Sequence, residues 1–293
     1  MVENNIAKGV GVMLLTALFA SMAAAGTRYL SAYLPIHVVV CGQYLTGLVI
    51  TFVMLVPKGR TGFYTARWKL HLLRGCSGLT ALYTFYYSLS HIQLVEATLL
   101  RSASPLCVPI IIRLWLNIKI PRRRWLPIII GFIGVIVVLR PTPDNISVWH
   151  ILALISAFMV AFSMVSTRLL VYTEKGTAVV FYYYLLAASG SMPLAIKSFT
   201  FAPWHVWMAL VGAGICLYLA MTCYTLSFEY AKPSVISPVS FFGVIFAGFW
   251  GWLFWGQIPT VWTFVGIVFI AAGAIMILKQ EGPNSPVTTR PIH

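Results

Sequence analysis

Apolar side chains recur along this chain as long unbroken runs, with neither the alternation of a half-buried strand nor the one-sided stripe of a surface helix. Ten runs succeed one another, at 8–26, 36–56, 72–91, 93–116, 125–140, 148–170, 178–197, 204–227, 234–255 and 260–278. About 20 apolar residues cross a hydrocarbon core about 30 Å thick, so each run predicts a transmembrane helix. The fifth, the shortest, borrows length from its flanks. Helices are required because they satisfy their own backbone hydrogen bonds where water is absent, and the dyad pattern of barrel strands is missing. Lys8 ahead of the first run and Ala23-Ala24-Ala25 at its end imitate a secretory signal. With nine further runs behind it, the segment is read as a retained helix. The connections are short, and no soluble domain fits between them.

Composition sharpens the picture. The 293 residues are 60% hydrophobic and 9% charged, against about 45–50% and about 25% in soluble domains. So few ionisable groups cannot cover a water-soluble globule. The 20 Lys and Arg outnumber the 6 Asp and Glu, giving a formal charge of +14. They occupy the gaps between apolar runs and form no basic face, which argues against a nucleic-acid partner. Short cytoplasmic loops collect Lys and Arg. With the amino terminus inside, Lys8, Lys58, Arg60, Arg67, Lys69, Arg74, Lys119, Arg122, Arg123, Arg124, Arg168, Lys175, Lys232, Lys279 and Arg290 fall on the inner side, against Arg28, Arg140 and Lys197 outside. Both termini are then cytoplasmic, as in a multi-pass inner-membrane protein, and the basic clusters also attract anionic membrane lipid.

The chain repeats itself. Lys119 to Leu139 and Gln257 to Leu278 share an Ile-Pro entry, a Trp soon after and a small residue late in the run. Upstream, YSLS at 87–90 pairs with YTLS at 224–227, each opening onto a run with a Ser-Pro step, Ser104-Pro105 and Ser237-Pro238. Five helices is an odd number, so the second unit enters the bilayer from the opposite side. The expected architecture is an all-α integral membrane fold of ten transmembrane helices in two inverted five-helix repeats. Residues 1–147 form the first repeat, 148–279 the second, and 280–293 a cytoplasmic tail. Inverted repeats around an axis in the membrane plane exchange roles so that a midplane site opens alternately to each side.

These features resemble the EamA-type transporters of the drug/metabolite transporter superfamily. The similarity runs from about residue 8 to residue 279 and is strongest over Leu94–Leu139 and Tyr230–Leu278. It implies a cavity lined chiefly by the third, fourth, eighth and ninth runs. Many members carry Glu just before the Ile-Pro turn, where this chain has Ile118 and Gln257.

An ionised side chain inside an apolar helix costs about 2.5–3.5 kcal/mol by insertion scales, so it faces a cavity or a partner. Glu96 and Arg101 share the fourth run. They are about 140° apart around a helix of 3.6 residues per turn, poorly placed to pair with each other. Arg101 either anchors a substrate carboxylate or contacts backbone carbonyls, and Arg113 snorkels to the inner interface. Glu96 is the carboxylate best placed to carry a proton if transport is proton-coupled; uncoupled transport needs no such group. Ser102 and Ser104 add hydroxyls to the same run. Tyr83, Tyr87 and Tyr218 each offer a stacking face and a hydroxyl to a ligand. Pro105, Pro109 and Pro238 free carbonyls and permit bending, marking gating positions. Gly212, Gly214, Gly243, Gly248 and Gly251 are expected to allow close helix contacts.

Cys41, Cys76, Cys107, Cys216 and Cys223 lie within apolar runs without a CxxC pair, and no histidine stands at metal-ligand spacing, so neither a metal site nor a cofactor is expected. No nucleotide-binding loop or hydrolase elbow appears. The reading is a non-enzymatic secondary or facilitative transporter of a small polar or zwitterionic metabolite, such as an amino acid or nucleoside-like compound, working by alternating access as a monomer or weak homodimer. The alternative is a membrane enzyme acting on lipid-linked substrates, for which no convergent acid/base set is visible.

Overall fold

The computed structural model describes residues 6–58, 65–115, 117, 125–139, 147–171, 173–230, 239 and 241–280. Regular structure among them is entirely helical. We number the helices α1 (Ile6–Leu30), α2 (Ile36–Leu55), α3 (Trp68–Leu89), α4 (Leu94–Ser102), α5 (Ser104–Trp115), α6 (Trp125–Leu139), α7 (Val148–Val171), α8 (Gly176–Lys197), α9 (Trp204–Tyr230), α10 (Phe242–Trp255) and α11 (Val261–Gln280). Six segments are long and apolar enough to cross a membrane: the residue spans 7–30, 36–55, 94–115, 148–171, 176–197 and 204–227. α6, α10 and α11 contain shorter apolar stretches. α3 belongs to neither group, because Lys69, His71, Arg74 and its tyrosines dilute its apolar character.

The bundle is apolar outside as well as inside. Val49, Phe52 and Val53 of α2, Ile129, Ile133 and Ile136 of α6 and Ile245, Phe249 and Phe254 of α10 are all exposed. Water would penalise such a surface, and lipid does not. Interior hydroxyls bond back along their own helices, as Thr27 does to the Ala23 carbonyl and Thr167 to that of Ser163. That pattern spares a polar group the cost of burial without a partner.

Helix packing follows one scheme. α1 lies on α9 and α3 on α7; α2 lies on α8 and α6 on α11. α1 meets α10 as α4 and α5 meet α7, and α2 meets α9 as α3 meets α8. These pairings map onto one another when α1, α2, α3, α4/α5 and α6 are exchanged with α7, α8, α9, α10 and α11. Each helix also runs antiparallel to its counterpart where the two touch. Tyr44 sits against Tyr183 and Gly47 against Tyr184, while Cys41, earlier on α2, pairs with Ser191, later on α8. On α6 and α11, a Cβ at Gly273 would come within 2.6 Å of the Gly131 backbone nitrogen, and one at Gly134 within 2.8 Å of the Ile270 backbone nitrogen. Only glycine permits that approach.

The fourth run is broken. α4 ends at Ser102, Ala103 bridges at φ −70°, ψ −2°, and α5 starts at Ser104 with Pro105 in its first turn. Proline lacks an amide to bond backwards, so it ends one helix and is tolerated at the start of the next.

Three expectations need correction. Arg74 belongs to no loop: it lies inside α3, with 2% of its surface exposed. Arg28 likewise occupies the last turn of α1. Gly212 mediates no close contact, since a Cβ there would meet nothing within 4 Å. The second Ser-Pro step, with Pro238, falls outside the described residues, as do Ile118 and the Arg122–Arg124 cluster.

Candidate functional site

Where α1, α3, α4, α5, α7 and α9 converge, with Tyr183 of α8 and Gly243 of α10 at the edge, they enclose a cavity of about 210 Å³. Much of its wall is small or apolar: Ala17, Ala20, Ala24, Leu82, Phe85, Leu217 and Met221. Into it project Arg74, Arg101, Thr98, Ser102, Ser104, Tyr86, Tyr183 and Tyr224.

Each guanidinium is held by an aromatic ring. Arg74 stands 4.9 Å over the ring of Tyr183 and donates from Nη1 to the Val179 carbonyl at 2.7 Å, while its Nε finds no acceptor. Tyr183 can reach it because α3 has Gly78 one turn on, where a Cβ would come within 2.4 Å of the tyrosine ring. Arg101 stands 4.4 Å over Phe85. Cation–π contact of this kind is worth more when desolvated. Tyr44, Tyr183 and Tyr224 lie within electrostatic range of both cations. Behind them Tyr86 donates to Gln43 Oε1 at 2.6 Å, Gln43 donates to Thr27 Oγ1 at 2.8 Å, and Tyr44 and Tyr183 share a 3.0 Å hydroxyl contact. The rings are thus braced by α1, α2 and α8.

At one end of the bundle polar and ring contacts tie α1, α3, α4 and α10 together. Arg28 Nη1 donates to the carbonyls of Leu89 (2.9 Å) and Ile92 (2.5 Å), and its guanidinium lies 5.4 Å from the Trp255 ring. Gln257 Oε1 accepts from the Leu94 amide, and Trp250 Nε1 donates to Ser21 Oγ. The cavity lies toward the other end, along Met13–Ala24 of α1 and Val160–Thr167 of α7. At the periphery of that end, Glu174 in the α7–α8 connection grips the start of α3. It accepts from Thr65 Oγ1 (2.5 Å), His71 Nε2 (2.6 Å) and the Arg67 amide (3.3 Å). His71 Nδ1 has no partner, which fits the neutral tautomer donating from Nε2. Burial raises the Glu174 carboxyl, but these hydrogen bonds outweigh it and hold the group below its ordinary value.

Of the residues singled out in the sequence, Arg101, Ser102, Ser104 and Pro105 line this cavity. Pro109 lies buried within α5. Glu96 is outside the lining, in the first turn of α4, with a carboxylate oxygen 3.9 Å from His150 Nε2. Tyr83 and Tyr87 face His37 on another side of α3, and Tyr218 donates to Met54 Sδ. Arg74, Tyr86, Tyr183 and Tyr224 were not among the candidates. For Arg74 and Tyr86 the signal was helical phase: Arg74, Gly78, Ala81, Leu82, Phe85 and Tyr86 share one face of α3, and Tyr83 and Tyr87 do not. All five cysteines are free, and no cluster of three or more metal-ligating side chains exists among the described residues.

A bundle that is helical throughout its described residues and apolar on its outer face, around an internal cavity into which two arginines project, is the architecture of a multi-pass membrane protein. Residues 7–140 and 147–279 both match the EamA-like transporter family, and the chain belongs to that family. It is 26% identical to the pseudopaline exporter of Pseudomonas aeruginosa over 96% of this chain and 99% of that one. It is 25% identical to a riboflavin transporter of Brucella anthropi, over 89% and 93%. An S-adenosylmethionine uptake transporter of Rickettsia bellii is 22% identical, over 93% and 94%. A crystal structure of a protein at 14% identity superposes with a TM-score of 0.66, over 92% of this chain and 96% of that one, a likeness of fold. Family and relatives alike are transporters, so the chain is a small-metabolite transporter and the membrane-enzyme reading is set aside.

Proposed function

We propose that this protein carries a small polar metabolite across the inner membrane by alternating access, through a site in the central cavity. In this reading ten spans, with α4 and α5 counted as one, form two five-helix halves, 1–147 and 148–279, of opposite orientation. The exchange symmetry of the helix pairs and the antiparallel run of counterparts support it, since inverted halves can swap conformations and so move the opening from one side to the other. The observation that carries the proposal is the cavity itself, shared by helices of both halves, roomy at one end and tied shut at the other by Arg28, Trp255, Gln257 and Trp250.

By the distribution of basic residues both termini are cytoplasmic and the roomy end faces the cytoplasm. Arg101, Ser102 and Ser104 act as substrate ligands, and the break at Ala103–Pro105 provides bending. Tyr83, Tyr87 and Tyr218, away from the cavity wall, serve packing in this conformation. Glu96, beside His150, remains the candidate for proton coupling, acting from the sealed end and not from the cavity.

Reconstitution into proteoliposomes with a panel of labelled metabolites tests the function. Saturable uptake of at least one, lost on Arg101→Gln, is expected; leakage-level flux for every compound, by protein that is folded, contradicts it. A Glu96→Gln variant that still concentrates substrate under a proton gradient removes Glu96 as the proton carrier.

A further inference from the structure

The substrate class can be narrowed from the charge the cavity carries. Arg74 and Arg101 come from different helices, α3 and α4, yet face the same space. No Asp or Glu is found among the described residues that line it. The carboxylate side chains described elsewhere are committed: Glu174 to Thr65, Arg67 and His71, and Glu96 beside His150. Arg101 has no hydrogen-bond acceptor among the described residues, and Arg74, buried at 2% exposure, leaves its Nε unpartnered. Thr98 Oγ1, in the same wall, is also buried without a partner. Two guanidiniums held against rings, with donors left over, make a preorganised double fork for planar oxyanions.

Resting on the reading of this cavity as the substrate site, we propose that the transported metabolite is a small organic anion with two carboxylates, one held by Arg74 and the other by Arg101. Its carbon skeleton lies between them against Phe85, Leu82, Leu217 and Met221. A positively charged group on the ligand finds no counterion among the described lining residues and is disfavoured, so a simple zwitterion is a poorer fit than a dianion. Inorganic phosphate matches one fork and leaves the apolar wall bare.

Binding to the purified full-length protein in detergent tests this, read as ligand-induced shifts in thermal unfolding. The probes are succinate, glutarate, citrate, monocarboxylate butyrate, succinamide, cadaverine and inorganic phosphate. Expected is saturable stabilisation by a di- or tricarboxylate, with butyrate and phosphate at least tenfold weaker and the diamide and diamine inactive. Arg101→Gln and Arg74→Gln should each lower the affinity of the best carboxylate at least tenfold, to the level of the monocarboxylate. Arg101→Lys, which keeps charge but not the fork, should fall between. Arg101→Gln alone decides the matter if Arg74→Gln fails to fold, because Arg101 has no hydrogen-bond acceptor to lose among the described residues. Binding of the diamide, diamine or phosphate as tightly as the dicarboxylates, binding unchanged in Arg101→Gln, or no stabilisation by any carboxylate overturns the proposal. The proteoliposome panel separates this failure from that of the transport reading: neutral or cationic cargo insensitive to Arg101→Gln sinks the dianion alone, whereas no flux of any compound sinks both.

Discussion

Arg28→Gln isolates the seal at the closed end of the cavity. Arg28 spends its Nη1 on two carbonyls beyond and at the carboxyl end of α3, those of Leu89 and Ile92, and rests on Trp255 of α10. It thereby ties α1, α3 and α10 together, with a cation at the negative end of a helix dipole. A hydrogen bond from a charged donor contributes about 1.5–3 kcal/mol, and the residue is half-buried, so the pair together contributes about 2–4 kcal/mol. With a factor of ten for each 1.4 kcal/mol, loss of the contacts favours opening at that end by roughly 30-fold or more. The reporter is Ala24→Cys, in the cavity wall one turn from Arg28. Its labelling by a membrane-impermeant maleimide is followed from the sealed side, with the five native cysteines as a measured background. The rate should rise at least tenfold in the Arg28→Gln protein. An unchanged rate in protein that remains monodisperse refutes the assignment of Arg28 to the seal.

Further expectations follow from the packing and from the Glu174 latch. Gly78→Val places side-chain atoms where the Tyr183 ring lies, 2.4 Å from the ideal Cβ; it should strip the ring from Arg74, abolish transport and cost about 1–3 kcal/mol of stability by overpacking, measured by flux and thermal unfolding. Gly273→Leu forces α11 off the Gly131 backbone and should lower the unfolding midpoint more than Gly212→Leu, where nothing stands within 4 Å. The Glu174 carboxyl titrates below its ordinary value of about 4.3, so its contribution to stability is complete above that value and fades as the pH falls through the lower folded-state one. Unfolding midpoints of the wild type and Glu174→Gln should therefore differ at pH 7 to 8, where His71 is neutral, and converge as the pH falls below 4. A difference that vanishes already at pH 6 contradicts that assignment.

Much of this fold was legible because burial in lipid leaves a one-dimensional trace: each run predicted a helix, and Pro105, read as a position that permits bending, lies at the start of α5 just after the break at Ala103, although 93–116 was expected to be one helix. Arg101 was legible for the same reason, as a charge stranded in apolar sequence. Arg74 was not, because it follows Lys69 and Arg67 closely and reads as one more loop cation. Only the helix start at Trp68 carries it inward. The depth of Glu96 can be counted along the chain, but the side chain it faces, His150 on α7, cannot. The tyrosines were legible as a group and not one by one: without a phase for α3, nothing distinguishes Tyr86, which lines the cavity, from Tyr83 and Tyr87, which meet His37.

Alternating access as proposed needs two halves of opposite orientation that share one cavity. Single cysteines at Trp125 and Val261, the first residues of α6 and α11 and well exposed at 50% and 74%, measure it most directly. Impermeant reagent applied to intact cells and to inverted vesicles should modify the two positions from opposite faces, Trp125 from the cytoplasm and Val261 from outside. Modification of both from the same face contradicts it.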